Sequence, residues 1–324
     1  MFTRQCFAAG LAALCLAAPI AGRASAGTIY ASGQLLIENT PGVHDDVREN
    51  RLYRIDTATG HATPLPVWST TSTPAGLAGV RGGTLYGFRG AQLGLVDPQT
   101  ADSFSPIGAP SGVSATAFDI LADGRAYVVT FGGNRQLYVV DLVSGAATAV
   151  GPAGQIAAAF DVAFGLAAGT SAPFIISLGS VGDQLYGINL ESGRQNLVRI
   201  DPATGTAEII GAADAVDAND SGRYSGYSAL TGVDENADGQ FDALFGTVNF
   251  WNHDGDSNTS DLRLGGIARY DLANGTWSLV GTNPGVIFFG MGASPVPEPG
   301  TLALAAMAVG CFALRLRKRL RNAA

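Results

Sequence analysis

The chain has 324 residues, three cysteines and a formal charge of −8, and 47% of it is hydrophobic. Between its two ends, residues 27–297 carry 12 arginines against 26 aspartates and glutamates, and the sole lysine, Lys318, lies outside them. So acidic a body excludes nucleic acid and anionic lipid as partners and suits cations, divalent ones above all. None of the cysteines falls in that body, so its core must hold without disulfides.

Taken in chain order, the first element is not part of the fold. Arg4 is followed by an apolar run from Cys6 to Ile20 and by the small residues Ala24-Ser25-Ala26. That order predicts a secretory signal peptide over residues 1–26, removed by signal peptidase to leave Gly27 as the mature N-terminus. The apolar run, about 15 residues, is short of the roughly 20 that a transmembrane anchor needs.

Residues 27–293 are expected to form one all-β domain. One phrase recurs five times, an apolar strand ending in Asp, a turn usually holding Gly, and a second strand often ending in Gly. It is seen at Leu52–Gly60, Leu93–Thr100, Leu137–Gly145, Leu197–Gly205 and Ile267–Gly275, with the aspartates Asp56, Asp97, Asp141, Asp201 and Asp271 separated by 41, 44, 60 and 70 residues. Each phrase predicts a hairpin in which Asp bonds the turn backbone and Gly takes the left-handed conformation. The shorter spacings equal a four-stranded propeller blade, and the longer ones imply insertions.

Two further strands precede most hairpins: Gly76–Val80 with Thr84–Phe88, Ala115–Ile120 with Arg125–Val129, Ala157–Phe164 with Gln184–Ile188, and Ser228–Val233 with Phe241–Phe245. The small residues of the first strand in each pair suit the crowded centre of a propeller. The first unit lacks such a strand before Thr28–Ser32, whereas an unpartnered one, Gly285–Gly290, follows the fifth hairpin. The expected fold is therefore a five-bladed β-propeller whose first blade takes its inner strand from the C-terminal end of the body. Six or seven blades are the alternative, since residues 165–183, with Phe174–Ser177, can hold more strands, and a two-sheet sandwich is the other.

Signatures of catalysis are missing: no Gly-x-Ser-x-Gly elbow, His-Glu-x-x-His, Cys-x-x-Cys, phosphate-binding glycine loop or dinucleotide fingerprint. His44, His61 and His253 fall in expected loops or turns. Two acidic loops in the fifth unit are candidates for calcium. Asp234, Asn236, Asp238 and Asp242 place oxygen ligands at alternate positions around Gly239, and Asp254, Asp256, Asn258 and Asp261 repeat the alternation. The first loop resembles the start of an EF-hand or dockerin calcium loop over nine residues, but Phe245 stands where the EF-hand pattern has a bidentate Glu. Solvated turns are the competing reading of both. Among aromatics, Trp68, Trp251 and Trp277 are candidates for a sugar-stacking face. Trp277 lies in an expected strand and Trp251 beside an acidic loop.

At the far end, Val296-Pro297-Glu298-Pro299-Gly300 precedes an apolar run from Thr301 to Leu314 and the basic cluster Arg315, Arg317, Lys318, Arg319 and Arg321. The prolines keep the motif out of the helix that follows, and the basic end favours the cytoplasmic side of a membrane. Over residues 294–324 this motif, single transmembrane helix and tail resemble the PEP-CTERM family of sorting signals; a plain C-terminal anchor is the simpler alternative. The resemblance implies recognition by an exosortase, a membrane-embedded transpeptidase-like enzyme of Gram-negative bacteria that make exopolysaccharide. It also implies an exported product, transiently anchored in the inner membrane and then held in the envelope or released.

The expected function is a non-enzymatic secreted or envelope scaffold with extracellular polysaccharide as the partner that the sorting signal suggests. The other reading is a calcium-dependent propeller hydrolase or lactonase, in which carboxylates from several blades converge on a central metal.

Overall fold

The computed structural model describes residues 28–37, 47–67, 76–79, 84–98, 104–130, 136–164, 174–191, 194–212, 223–236, 240–252 and 263–294. The residues expected to form a signal peptide, 1–26, and all but the first of those expected to form the sorting signal and its transmembrane helix, 294–324, lie outside them. Among the described residues no helix is long and apolar enough to cross a membrane.

Twenty strands form five four-stranded antiparallel sheets. Blade 1 contains β1 (Thr28–Ile37), β2 (Val47–Ile55) and β3 (Ala62–Val67), and blade 2 contains β4 (Gly76–Gly79), β5 (Leu85–Arg89), β6 (Gln92–Val96) and β7 (Phe104–Pro106). Blade 3 is β8 (Ala115–Ile120), β9 (Ala126–Thr130), β10 (Leu137–Val140) and β11 (Ala147–Ala149). Blade 4 is β12 (Ile175–Val181), β13 (Gln184–Glu191), β14 (Arg194–Ile200) and β15 (Ala207–Ala212). Blade 5 is β16 (Arg223–Val233), β17 (Ala243–Asn252), β18 (Arg263–Asp271) and β19 (Thr276–Pro284). The last strand, β20 (Val286–Ser294), returns to blade 1 and pairs antiparallel with β1, from Thr28↔Ser294 to Leu35↔Val286.

The inner strands touch one another in the order β20, β4, β8, β12, β16 and back to β20, which closes the ring. Packing repeats that closure: five buried apolar clusters each join one pair of neighbouring blades. Tyr53 of blade 1 and Phe245 of blade 5 share one cluster, and Leu137 of blade 3 and Leu178 of blade 4 another. The expected five-bladed propeller with C-terminal closure is the fold.

Four of the five recurring aspartates are structural, and the turn after Asp97 runs outside the described residues. Asp56 Oδ1 accepts the N–H groups of Ala58 and Thr59 at 2.9 and 3.0 Å, and the Gly60 N–H donates back to the Asp56 carbonyl at 2.8 Å. Gly60 has φ 68°, a conformation that costs any other residue. Asp141, Asp201 and Asp271 build the same turn with Gly145, Gly205 and Gly275. Glycine at the end of an outer strand has a second cause. A Cβ at Gly281 would lie 2.1 Å from the Thr59 carbonyl of the next blade's turn, and one at Gly151 would lie equally close to the Thr204 carbonyl. Turn and glycine are thus the two halves of a blade-to-blade contact.

One expected strand is a helix. Residues 157–164, read above as the inner strand of the fourth unit, belong to α1 (Gln155–Phe164), which packs against β15. Ile156 and Phe160, one turn apart, are both buried in the cluster between blades 3 and 4, and the intervening alanines are strong helix formers. The inner strand is β12 instead, within the segment that had been a candidate for extra strands. No blade is added, because β12 simply replaces the strand expected upstream.

The seam between blades 5 and 1, where the ring closes, is stitched by two asparagines. Asn249 of β17 donates to the Phe288 carbonyl at 2.9 Å and accepts the Phe288 N–H at 3.0 Å. Asn283 of β19 accepts the Ala62 N–H at 2.8 Å and donates to the Gly60 carbonyl at 2.9 Å. Both amides are buried, so each hydrogen bond is one that solvent does not replace.

Candidate functional site

All five inner strands run in one direction, so the propeller has two distinct ends. At one end lie Gly79, Ile120, Val181, Val233 and Ser294, the last residues of the inner strands, together with the Asp turns. Thr28 pairs with Ser294 there, so both termini of the body leave from this end. We call it the terminal end and its opposite the free end.

Towards the free end, the ladder between the first two strands of a blade slips by one residue in four blades, at Thr116, Ile176, Ser228 and Phe289. A slip of this kind bends the strand and re-aims the side chain at it. Thr116 donates to the Ile175 carbonyl of the next blade at 2.9 Å, and Ser228 to the Phe288 carbonyl at 2.8 Å. A hollow of about 170 Å³, solvent space included, opens among Ile176, Ser177, Ser228, Phe289 and Met291. Phe289 is 38% exposed, and the Ser177 hydroxyl, buried, has no partner. The inner strands pack closely on one another: Cβ atoms at Gly76, which lines the hollow, and at Gly292 would collide with Phe118 and Leu77 of neighbouring blades. The small inner-strand residues noted in the sequence are what let five strands meet.

Towards the terminal end, β8 carries Asp119, which is 2% exposed. Burial pushes its carboxyl up to about 7, although the Ser180 hydroxyl and the Ile120 N–H act in the opposite sense. Its Oδ2 has no hydrogen-bond partner. Asp119 was missed in the sequence, where an acid inside the apolar run Ala115–Ile120 was the available signal.

The first acidic loop is at this end too. Asp234 is buried, Asn236 and Asp242 are exposed, and Asp238 lies outside the described residues. Asp242 Oδ1 accepts the Glu235 N–H at 2.8 Å, and Glu235 holds Arg269 through two hydrogen bonds of 3.1 and 2.7 Å. Asp242 is thus already used in closing the turn. Asp254, Asp256, Asn258 and Asp261 lie outside the described residues, but the strands flanking them meet at Trp251↔Arg263. From there to Ala243, where the first loop returns, is eight residues of β17, about 26 Å. The two loops therefore leave opposite ends of one blade. Among the described residues, no group of three or more His, Cys, Asp or Glu is placed to hold a metal.

Of the aromatic candidates, Trp277 packs on Tyr270 with ring centroids 4.9 Å apart, while Trp251 falls near the free end of β17 and Trp68 outside the described residues. His61 is exposed in the Asp56 turn, and His44 and His253 lie outside the described residues.

Val296, Pro297, Glu298 and Pro299 also lie outside them, immediately after the strand that closes the ring. Residues 295–318 match the PEP-CTERM protein-sorting motif. The PEP-CTERM motif implies processing by an exosortase, with export and sorting to the bacterial cell envelope. No curated protein matches the chain. Among solved structures, a protein from Lactobacillus plantarum is 14% identical, with 82% of this chain and 98% of that one covered, at a TM-score of 0.37. A chain of a nidogen/laminin complex is 10% identical, covering 84% and 100%, at 0.44. A protein of unknown function from Bacteroides caccae is 12% identical, covering 80% and 73%, at 0.35.

Proposed function

We propose that the body is a non-enzymatic binding scaffold of a Gram-negative envelope, delivered by a signal peptide cleaved at Ala26, transiently anchored in the inner membrane by its tail, and associated with extracellular polysaccharide. The observation that carries this reading is the pairing of Thr28 with Ser294. A chain that is both exported and sorted through one end of a propeller is held there and offers the other end outward. The hydrolase or lactonase reading needs carboxylates from several blades at the axis, and the residues that line the hollow at the free end are apolar or small, with no carboxylate among them.

The test is location in the native host. With Pro297, Glu298 and Pro299 replaced by alanine, the tail should stay uncleaved and the protein should remain in the membrane fraction. Unchanged processing and location would sink the sorting reading.

A further inference from the structure

The sorting motif begins almost on the propeller. Ser294 is still paired with Thr28, and Val296 is two residues further, at most about 7 Å along the chain. Glu298 is at most about 14 Å away by the same measure. Pro295, next in the sequence, has no N–H to give to a ladder. A slack linker is therefore absent between the fold and the residues that a processing enzyme must grip.

Either the enzyme comes to the propeller or β20 unzips to meet it. Unzipping is opposed by packing: Met291 and Ala293 are 2% and 1% exposed, and both belong to the cluster that seals blades 5 and 1. We infer that the terminal end of the propeller is a docking surface for the membrane-embedded processing enzyme, which seats on the loops around Ser294 as it takes the motif. This rests on the sorting reading above. The loops are those that follow the inner strands, with Ala122, Asp123, Asp183 and Glu235 at their tips. Asp123 pairs with Arg125 of the same turn at 2.6 Å, and Glu235 with Arg269 of β18 at 2.7 Å, which ties that tip to its own blade. Asp183 stands in the tight turn between β12 and β13 and is exposed. Arg125 and Arg269 offset two of these acids, but Asp183 and the exposed Asp56, Asp97 and Asp141 at the same end leave the surface acidic, so the enzyme rim that faces it carries positive charge.

Tail cleavage followed by pulse-chase in the native host tests this. Asp183→Lys and Glu235→Lys should each slow cleavage at least threefold, with melting temperatures of the purified bodies showing that the fold is kept. A second set carries ten Gly/Ser residues inserted between Ser294 and Pro295, which frees the motif from the surface. There the same two substitutions should have no effect. Equal cleavage of the charge variants and the parent at native spacing, with folded bodies, would overturn the docking. Faster cleavage on insertion would also overturn it, since the propeller would then be an obstacle. The Pro297, Glu298 and Pro299 alanine variant, run alongside, separates the two ideas: if it is cleaved normally, the sorting reading itself fails and the docking falls with it.

Discussion

A carboxyl buried in a strand is costly when charged, and Asp119 shows the consequence in a measurable pH range. Its folded value is raised from 3.8 to about 7, so the native state holds a proton that the unfolded chain has lost between those values. Stability from this group is full below about pH 4, falls as pH rises by about 1.4 kcal/mol per unit, and is flat above about pH 7. The turn aspartates act in the opposite direction and lower down. Backbone N–H groups hold Asp56, Asp141 and Asp201 below the usual carboxylate range, as the Asn274 side chain does for Asp271, and the stability they confer is lost as pH falls below about 4. Melting curves of Asp119→Asn and the parent should coincide near pH 4 and separate in the variant's favour up to pH 7. A constant gap across that range would show that Asp119 does not titrate there. The turn aspartates were legible in the sequence because their chemistry is local, a carboxylate two or three residues from the N–H groups it accepts. Asp119 was not, because what makes it unusual is burial in the assembled ring, with Ser180 of the next blade beside it.

Strands and helices follow the same division. Hairpins and second strands were readable from Asp-Gly spacing and from phrases such as Leu85-Tyr-Gly-Phe88, and the closing role of β20 followed from an inner strand with no blade of its own. Ala157–Phe164 misled because its small residues satisfy both an inner strand and a helix, and only the shared burial of Ile156 and Phe160 decides between them. The register slips at Thr116, Ile176, Ser228 and Phe289 have no common residue type and could not have been found. The seam asparagines are likewise invisible, since their partners lie 39 and more than 220 residues away. Removing one should cost more than an average hydrogen bond, because buried backbone groups are left without partners. Asn283→Ala is expected to destabilise the body by about 2–3 kcal/mol in urea unfolding. A change below about 0.5 kcal/mol would mean that solvent reaches Gly60 and Ala62.

At the scale of the whole molecule, the two ends divide the labour. The terminal end carries both ends of the body, the Asp turns and the first acidic loop. The free end carries the hollow, and there the strands of blades 1 and 5 run on, with β1 paired to β2 out to Ile37 and β16 to β17 out to Arg223. If the free end is where polysaccharide is met, Phe289→Ala should lower co-sedimentation of residues 27–294 with exopolysaccharide extracted from the host at least threefold. Its melting temperature should hardly move, because the ring is already 38% exposed. Undiminished binding would place the contact elsewhere.

Closure by the last strand also sets a schedule. A chain exported from its N-terminus delivers β1 first and β20 last. Until Ser294 has crossed, blade 1 has an open inner edge, the kind of edge on which strands of other chains can add. The residues behind Ser294 are the sorting motif, so the moment at which the propeller locks is also the moment at which that motif follows it out. Completion of the fold and arrival of the address are one event in time, and a copy truncated before Val286 would be left both open and undelivered.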